Sequence, residues 1–377
     1  MTSEVFFNLL QESQEAGKAM VSYRLPGEKP VQLYVQSKNK SFRIKDFSES
    51  GFIFSPFENT QNPFYIPEKE SIKTVLAFFN NTNVQLDSTE KTATDINYNA
   101  KLDHINLVSL GVETIKKTNL EKVVLSRKEL LEVSISASQI FQNLLSLYPN
   151  AFVYIWSHPE TGVWIGATPE TLLKTERTKF STMALAGTRK LQKFPEDDWN
   201  EKEIVEQQIV TTSIISKLKD LGYTEDLLKV SEPYTSEAGN LLHLRTDISG
   251  SIKNSPSEIG AIIKSLHPTP AICGLPTKDA YDFIIDNENY DREFYTGYLG
   301  LLNMTTEIKR NSRTRNQENQ AYSSIRKDSF IFVNLRCLKF KEGEVAIYVG
   351  GGITKDSDPI SEWEETVNKA GTMKAAL

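Results

Sequence analysis

Cysteine is scarce. Only Cys273 and Cys337 occur in 377 residues, far apart and without a metal-spaced partner. This excludes a disulfide scaffold and a zinc cluster, and fits free thiols in a reducing compartment. Basic residues are not in surplus: 43 Lys and Arg stand against 49 Asp and Glu, for a net charge of −6. A nucleic-acid binder is therefore not expected, whereas a small anionic substrate needs only a few local cations. No apolar run approaches the ~20 residues that span a bilayer. Met1 to Asn8 carries Glu4 and no basic stretch, unlike a secretory signal. Nucleotide glycine fingerprints, a GxSxG elbow, internal repeats and Pro/Gly/Ser linkers are all missing. With 39% hydrophobic residues, the expectation is a soluble, cytoplasmic protein, monomeric, whose core needs no staples.

What is present reads as strands with fewer helices. Val31–Val35 and Gly51–Phe54 are short apolar runs between polar turns, and Asn80–Asn99 is a polar connector. Val123–Leu125, Phe152–Ser157, Val163–Gly166, Phe180–Ala186, Phe330–Leu338 and Val345–Val349 predict strands. Helical spacing marks Ser138–Tyr148 and Asn200–Leu221, the latter with Ile204, Ile209, Ile214, Ile215 and Leu218 inward. A last helix is expected from about Ser361. The elements do not alternate regularly, which favours α+β over a doubly wound fold. Thr305–Ser329 is polar and mixed in charge, a surface hairpin insertion or else a lid or docking site.

Several residue types could carry chemistry. Glu203 and Glu206 lie three apart on the middle helix, and Glu362, Glu365 and Lys369 share one face of the last. Such pairs are either a solvated, salt-bridged surface or oxygen ligands for a hard cation such as magnesium. Gly350-Gly351-Gly352 directly after a strand is either a tight turn or a backbone cradle for an anion. Arg336, placed among apolar strand residues, is structurally paired or aimed at a carboxylate. His243, in an apolar stretch, reads as a core residue before it reads as a catalyst, and His267 as a turn element.

Longer strings say more. Lys122-Val-Val-Leu-Ser-Arg127, Gly166-Ala-Thr-Pro-Glu170-Thr-Leu-Leu173 and Ala184-Leu-Ala-Gly187-Thr188-Arg189 come first. Leu242-His243-Leu244, His267-Pro-Thr-Pro-Ala-Ile-Cys-Gly274, Tyr295-Thr-Gly297 and Phe332-Val-Asn-Leu-Arg336 follow. Gly350-Gly-Gly-Ile353 and Ser357-Asp-Pro-Ile-Ser-Glu362-Trp-Glu-Glu365-Thr366 close the series. In order and content these resemble the chorismate-utilising enzymes: isochorismate synthases, salicylate synthases and the large component of anthranilate synthase. The resemblance covers about the last two-thirds. It implies an α+β, anthranilate-synthase-like sandwich of two large antiparallel sheets with flanking helices. The chain would be one catalytic domain over 1–377, with a divergent part at 1–110 and a motif-bearing part at 111–377 that holds the polar insertion at about 305–329.

By the same resemblance, Glu206 and Glu365 would bind Mg²⁺, with Glu203 and Glu362 supporting them. The metal would grip the ring carboxylate of chorismate. Arg336 and the backbone at Gly350 and Gly352 would take the enolpyruvyl carboxylate. Tyr295 and Lys369 would help fix the anionic groups, and Gly187, Thr188, His243 and Thr269 would line the ring. Lys at position 122 resembles the water-adding members, so Lys122 is implied as the base for water attack at C2 and Glu170 as the acid for the departing 4-hydroxyl. A lysine base needs its pKa lowered and a glutamic acid needs its own raised. The activity implied is isochorismate synthesis, for menaquinone or a siderophore. A salicylate synthase, an anthranilate or aminodeoxychorismate synthase, and a silent chorismate-binding protein are the alternatives. Many members carry Glu-His where this chain has Glu206-Gln207. Leu9-Leu10-Gln11-Glu12-Ser13 is not taken as a tryptophan-sensing motif.

Overall fold

The computed structural model describes residues 1–377 except 39, 59–60, 79–97, 191–198, 239–240, 253–254 and 309–323. Two nine-stranded sheets, antiparallel throughout, dominate it. The first runs, in spatial order, Gly274–Leu275, Lys122–Glu132, Glu344–Ile353, Cys337–Lys341, Gly162–Thr168, Phe152–His158, Met20–Arg24, Pro30–Gln36 and Ser71–Ala77. The second runs Leu228–Val230, Leu241–Ser251, Lys179–Lys190, Thr171–Glu176, Ser324–Val333, Tyr298–Ile308, Gly51–Ser55 and Phe64–Pro67, with Tyr234–Ala238 also on Leu241–Ser251.

Aromatic side chains from both sheets fill the space between them. Phe52 and Phe332 of the second sheet pack with Phe152 of the first, the Phe152 and Phe332 rings stacked at 4.1 Å. Phe54 meets Trp156 and Trp164 in the same cluster. Helices cover the outer faces. Ser3–Glu15 and Ala137–Leu147 lie against the first sheet through Phe6, Leu10, Ile140 and Phe141. Glu201–Asp220 and Pro256–Leu266 lie against the second through Val210, Ile214, Ile259 and Ile263. Helices Tyr98–Lys117 and Thr277–Asn287 enclose Val123, Leu125 and Ile353. Both faces of Lys122–Arg127 are thereby covered: all six residues are buried, and only from Lys128 does burial alternate. No described helix is long and apolar enough to cross a membrane.

The predicted α+β sandwich is the fold found. Three local expectations change. Phe330–Leu338 is not one strand: Ser324–Val333 ends in the second sheet and Cys337–Lys341 begins in the first. Arg336 therefore sits in the crossover, not inside a strand, at φ +47°. Ile204 is 39% exposed, because the apolar anchorage of its helix to the sheet begins only at Val210. The polar segment is not all surface insertion: Thr305 and residues 324–329 belong to paired strands, with Asp328 and Ser329 buried. Its tip, 309–323, lies outside the described residues, as does most of the Asn80–Asn99 connector.

A buried ion pair braces the wall behind Lys122. Arg292 donates to both Glu288 oxygens, Nε to Oε2 at 2.7 Å and Nη2 to Oε1 at 2.6 Å. It also donates to the carbonyls of Val124 (2.7 Å) and Ile272 (3.0 Å), while Glu288 accepts from the Ser126 amide and hydroxyl. Removing one partner strands a buried charge. Arg292→Met should cost about 3–5 kcal/mol in chemical denaturation, and a loss under 1 kcal/mol would contradict this bracing role.

Candidate active site

The C-terminal ends of several strands meet around a cavity of about 90 Å³. At roughly 10–15 Å³ per probe-sized water, that is space for about six to nine waters, the scale of a small organic acid. Glu170, Gly187, Glu206, His243, Tyr295, Arg336, Gly350, Gly352, Glu365 and Lys369 line it. Residues from seven separated motifs thus converge on one cavity. Lys122 does not itself line the cavity but stands one hydrogen bond behind it: its Nζ donates to Glu206 Oε1 at 2.7 Å, and its side chain is only 1% exposed.

The glycine run is required by close approach. Gly352 pairs with Val124 across the ladder. A Cβ on it would lie 2.5 Å from Glu206 Oε1 and 2.8 Å from Lys122 Cε. On Gly351 a Cβ would come within 3.3 Å of Glu362 Oε2, and on Gly350 within 3.1 Å of the Tyr295 hydroxyl. Gly187, at φ +70°, holds the corresponding place in the second sheet, with Glu203 Cβ 3.1 Å from where its own Cβ would be. Gly352→Ala should displace the Lys122–Glu206 pair and lower kcat about 100-fold, the usual effect of a 1 Å misplacement. Steady-state kinetics on folded protein checks this, and an unchanged kcat would remove the argument for close approach.

Electrostatics separate the titratable groups. Burial pushes the Glu170 carboxyl up from 4.5 to about 8, and Lys122 partly opposes the shift. Glu170 is therefore protonated at neutral pH. Burial, and secondly the Arg336 charge, hold His243 down at about 3. Its imidazole is neutral, and because Nδ1 faces the Gly187 carbonyl at 2.9 Å, the ring proton is on Nδ1 and Nε2 is an acceptor. Burial also lowers the Arg336 pKa and raises that of Tyr295.

Arg336 reaches its place through a braced crossover. The Asn334 amide donates to the Phe294 carbonyl at 2.8 Å, and its Oδ1 accepts from the Tyr154 hydroxyl. Asn334 N also bonds to Gly297 O, and Thr296 N to Asn334 O. A left-handed backbone at a non-glycine residue costs about 1–3 kcal/mol and persists only where surroundings impose it. Here they do so, and Arg336 Nη1 donates to Thr372 Oγ1 of the last helix at 2.8 Å.

The carboxylates come from two helices. Glu206 is countered by Lys122, and Glu365 by Lys369 at 2.6 Å, while Lys369 also donates to the Gly350 carbonyl. Glu203 Oε2 is buried without a hydrogen-bond partner. The donors are all hard oxygens, which suits Mg²⁺ or Ca²⁺ and not a soft metal. Among the described residues, no three His, Cys, Asp or Glu side chains are gathered closely enough to hold an ion as they stand. The set fits a hard cation by chemistry, with two of its members engaged by lysines.

Not every anticipated residue faces the cavity. Glu203 and Glu362 stand behind the glycines, and Thr269 is buried with its hydroxyl unpartnered but does not line the wall. The Thr188 side chain is outside the described residues. The apolar lining escaped sequence reading: Leu185, Ile272, Leu335 and Tyr348 all contribute. The available signal was adjacency, since each sits within or next to a quoted string.

The family profile described as "Chorismate binding enzyme" matches residues 59–308, and a second chorismate-binding profile matches 321–375. Isochorismate synthase EntC of Escherichia coli (strain K12) is 29% identical over 266 residues, covering 67% of this chain and 61% of that protein. Isochorismate synthase MenF of Bacillus subtilis (strain 168) is 29% identical over 288 residues, covering 74% of this chain and 56% of that protein. The matched stretch thus spans about three-fifths of these relatives' length. Among solved structures, a putative 2,3-dihydroxybenzoate-specific isochorismate synthase, DhbC from Bacillus anthracis, superposes with a TM-score of 0.74 at 22% identity, over 98% of this chain and 99% of that one. Anthranilate synthase component I from Streptococcus pneumoniae gives 0.61 at 17% identity, over 94% of this chain and 92% of that one. At these identities the structural likeness concerns the fold.

Proposed function

This chain belongs to the chorismate-binding enzymes, and from that premise we propose that it is an isochorismate synthase that adds water to chorismate at C2 and expels the 4-hydroxyl. The observation that carries the reading is a buried acid that lines the cavity and a buried amine directly behind its lining: Glu170, protonated at neutral pH, and Lys122, which pairs with Glu206 and whose charge is felt by Glu170. Lys122, once it carries no proton, takes one from the attacking water as the C2–O bond forms. The ring double bonds shift, the C4–O bond breaks, and Glu170 gives its proton to the departing hydroxide. One water enters and one leaves, so the step is an isomerisation. The pair ends as ammonium and carboxylate, and proton exchange between them or with solvent restores the start. Each proton transfer of this kind contributes about 10²–10⁴ in rate.

Arg336 and Lys369, with the backbone at Gly350 and Gly352, supply cations and donors for the enolpyruvyl carboxylate. The neutral His243 lines the cavity beside Gly187, whose carbonyl accepts from its Nδ1. Glu206 and Glu365, backed by Glu203 and Glu362, would hold Mg²⁺, which when bound supplies positive charge for the ring carboxylate. Glu206 accepts from Lys122 in the structure, so the base role requires Glu206 to turn from Lys122, as it would on ligating a metal.

The test is chromatography of the products formed from chorismate, with magnesium and after chelation. Isochorismate formed only with the metal is the expected outcome. Salicylate plus pyruvate would move the protein to the lyases that share the lysine and acid, and an amine product with ammonia to the aminating synthases. No turnover at all would leave only a binding protein.

A further inference from the structure

The long helix Glu201–Asp220 carries Glu203 and Glu206 in its first two turns, yet those turns have little to hold them. The N-cap residue, Asn200, makes no side-chain cap bond. Glu201, Ile204, Val205 and Gln208 are exposed, and Glu203, Glu206 and Ile209 are half-buried. Apolar anchorage to the second sheet starts only at Val210 and continues through Ile214 and Leu218. On the outer flank, Glu201, Val205 and Ile209 border a cavity of about 1070 Å³, across which lie Ile115, Leu120 and Thr354. Among the described residues, no packing presses this end of the helix inward from that side.

One side chain among the described residues 201–209 is buried, and it is polar: Gln207, 1% exposed. Its amide donates to Thr246 Oγ1 at 2.5 Å and to Thr211 Oγ1, one turn on, at 2.8 Å. Thr246 is itself 1% exposed and lies on Leu241–Ser251, three residues after His243, opposite Ala184 of the strand that leads to Gly187. Each residue turns a helix by 100°, so Gln207 points about 40° from Glu203 and 100° from Glu206. Fixing the direction of one fixes the other two. We propose that Gln207 is the positioning residue for the cation-binding carboxylates: its bond to Thr246 sets the rotation of the helix about its axis and so aims Glu206 at the cavity and holds Glu203 behind Gly187.

This rests on the reading of those carboxylates as magnesium ligands, so the test measures magnesium binding itself. Calorimetric titration with Mg²⁺, without substrate, is made on the wild type, Q207L, T246V and T246S, alongside metal-free melting temperatures. Residues that orient metal ligands typically contribute 10–100-fold in affinity. Q207L and T246V should weaken magnesium binding by that factor, whereas T246S, which keeps the hydroxyl, should bind like the wild type. The kcat at saturating magnesium should be nearly unchanged in all three, because none touches the reacting atoms. Q207L and T246V that lose melting temperature but keep wild-type affinity would overturn the inference and leave Gln207 a structural residue. A wild type that binds no magnesium would instead overturn the cation reading beneath it, so the two failures are distinct.

Discussion

Replacement of Lys122 by methionine should lower kcat by about 10²–10⁴-fold while the Michaelis constant for chorismate changes little. Methionine keeps the volume of a side chain that is only 1% exposed, so packing is preserved and only the amine is removed. A second consequence separates a base from a merely structural lysine. Lys122 is the charge that pulls the Glu170 pKa downward against burial. Without it Glu170 should titrate above 8, and the alkaline limb of any residual activity should move to higher pH. Steady-state rates across pH, with circular dichroism to confirm folding, check both parts. A variant with wild-type kcat would remove Lys122 from the chemistry.

Glu170→Gln should be nearly inactive and yet more stable than the wild type at neutral pH. The loss in kcat is again about 10²–10⁴-fold, since an amide cannot protonate the departing hydroxide. The stability change follows from linkage. The folded-state pKa, about 8, lies above the ordinary carboxyl value of 4.5. Below 4.5 both states are protonated and the carboxyl carries no penalty. Between 4.5 and 8 the unfolded chain releases its proton and the folded one does not, so wild-type stability falls as pH rises, levelling off above 8. Glutamine has no such penalty. The variant should therefore gain on the wild type progressively from about pH 5 to pH 8, by roughly 1–3 kcal/mol once the discount for an imperfectly fitting amide is made. Denaturation curves at pH 4.5, 6 and 8 measure the difference. A gap that does not widen with pH would mean that Glu170 is ionised in the folded protein, which would exclude it as the acid. The same raised pKa gives the wild-type rate its own signature, a fall as pH passes upward through about 8.

Much of this architecture was legible in the sequence because it rests on local pattern. Phe152–Ser157 and Val345–Val349 are apolar runs bounded by turns, and both are central strands of the first sheet. The paired glutamates were legible by helical spacing; the glycine run was legible as a run, but it lies within the strand Glu344–Ile353 and not after it. What was not legible depends on distant contacts. Phe330–Leu338 has no glycine or proline to mark a break, because the break is made by Asn334 bonding to Phe294 and Tyr154. Ile204 has the right helical spacing for burial, but a cavity flanks that part of the helix. Gln207 stood out only as a departure from Glu-His, and its bond to Thr246 requires knowing which strand lies beneath it. The acidity of Glu170 is a property of burial, which no string displays.

In the proposed reaction, solvent water supplies the oxygen placed on C2. Chorismate turned over in ¹⁸O-labelled water, with the product analysed by mass spectrometry before appreciable reversal, tests it most directly. Isochorismate should carry one ¹⁸O, at the 2-hydroxyl, in every molecule formed. Isochorismate with unlabelled oxygen at C2 would mean that the 4-hydroxyl migrates without exchange, and Lys122 would have no water to activate.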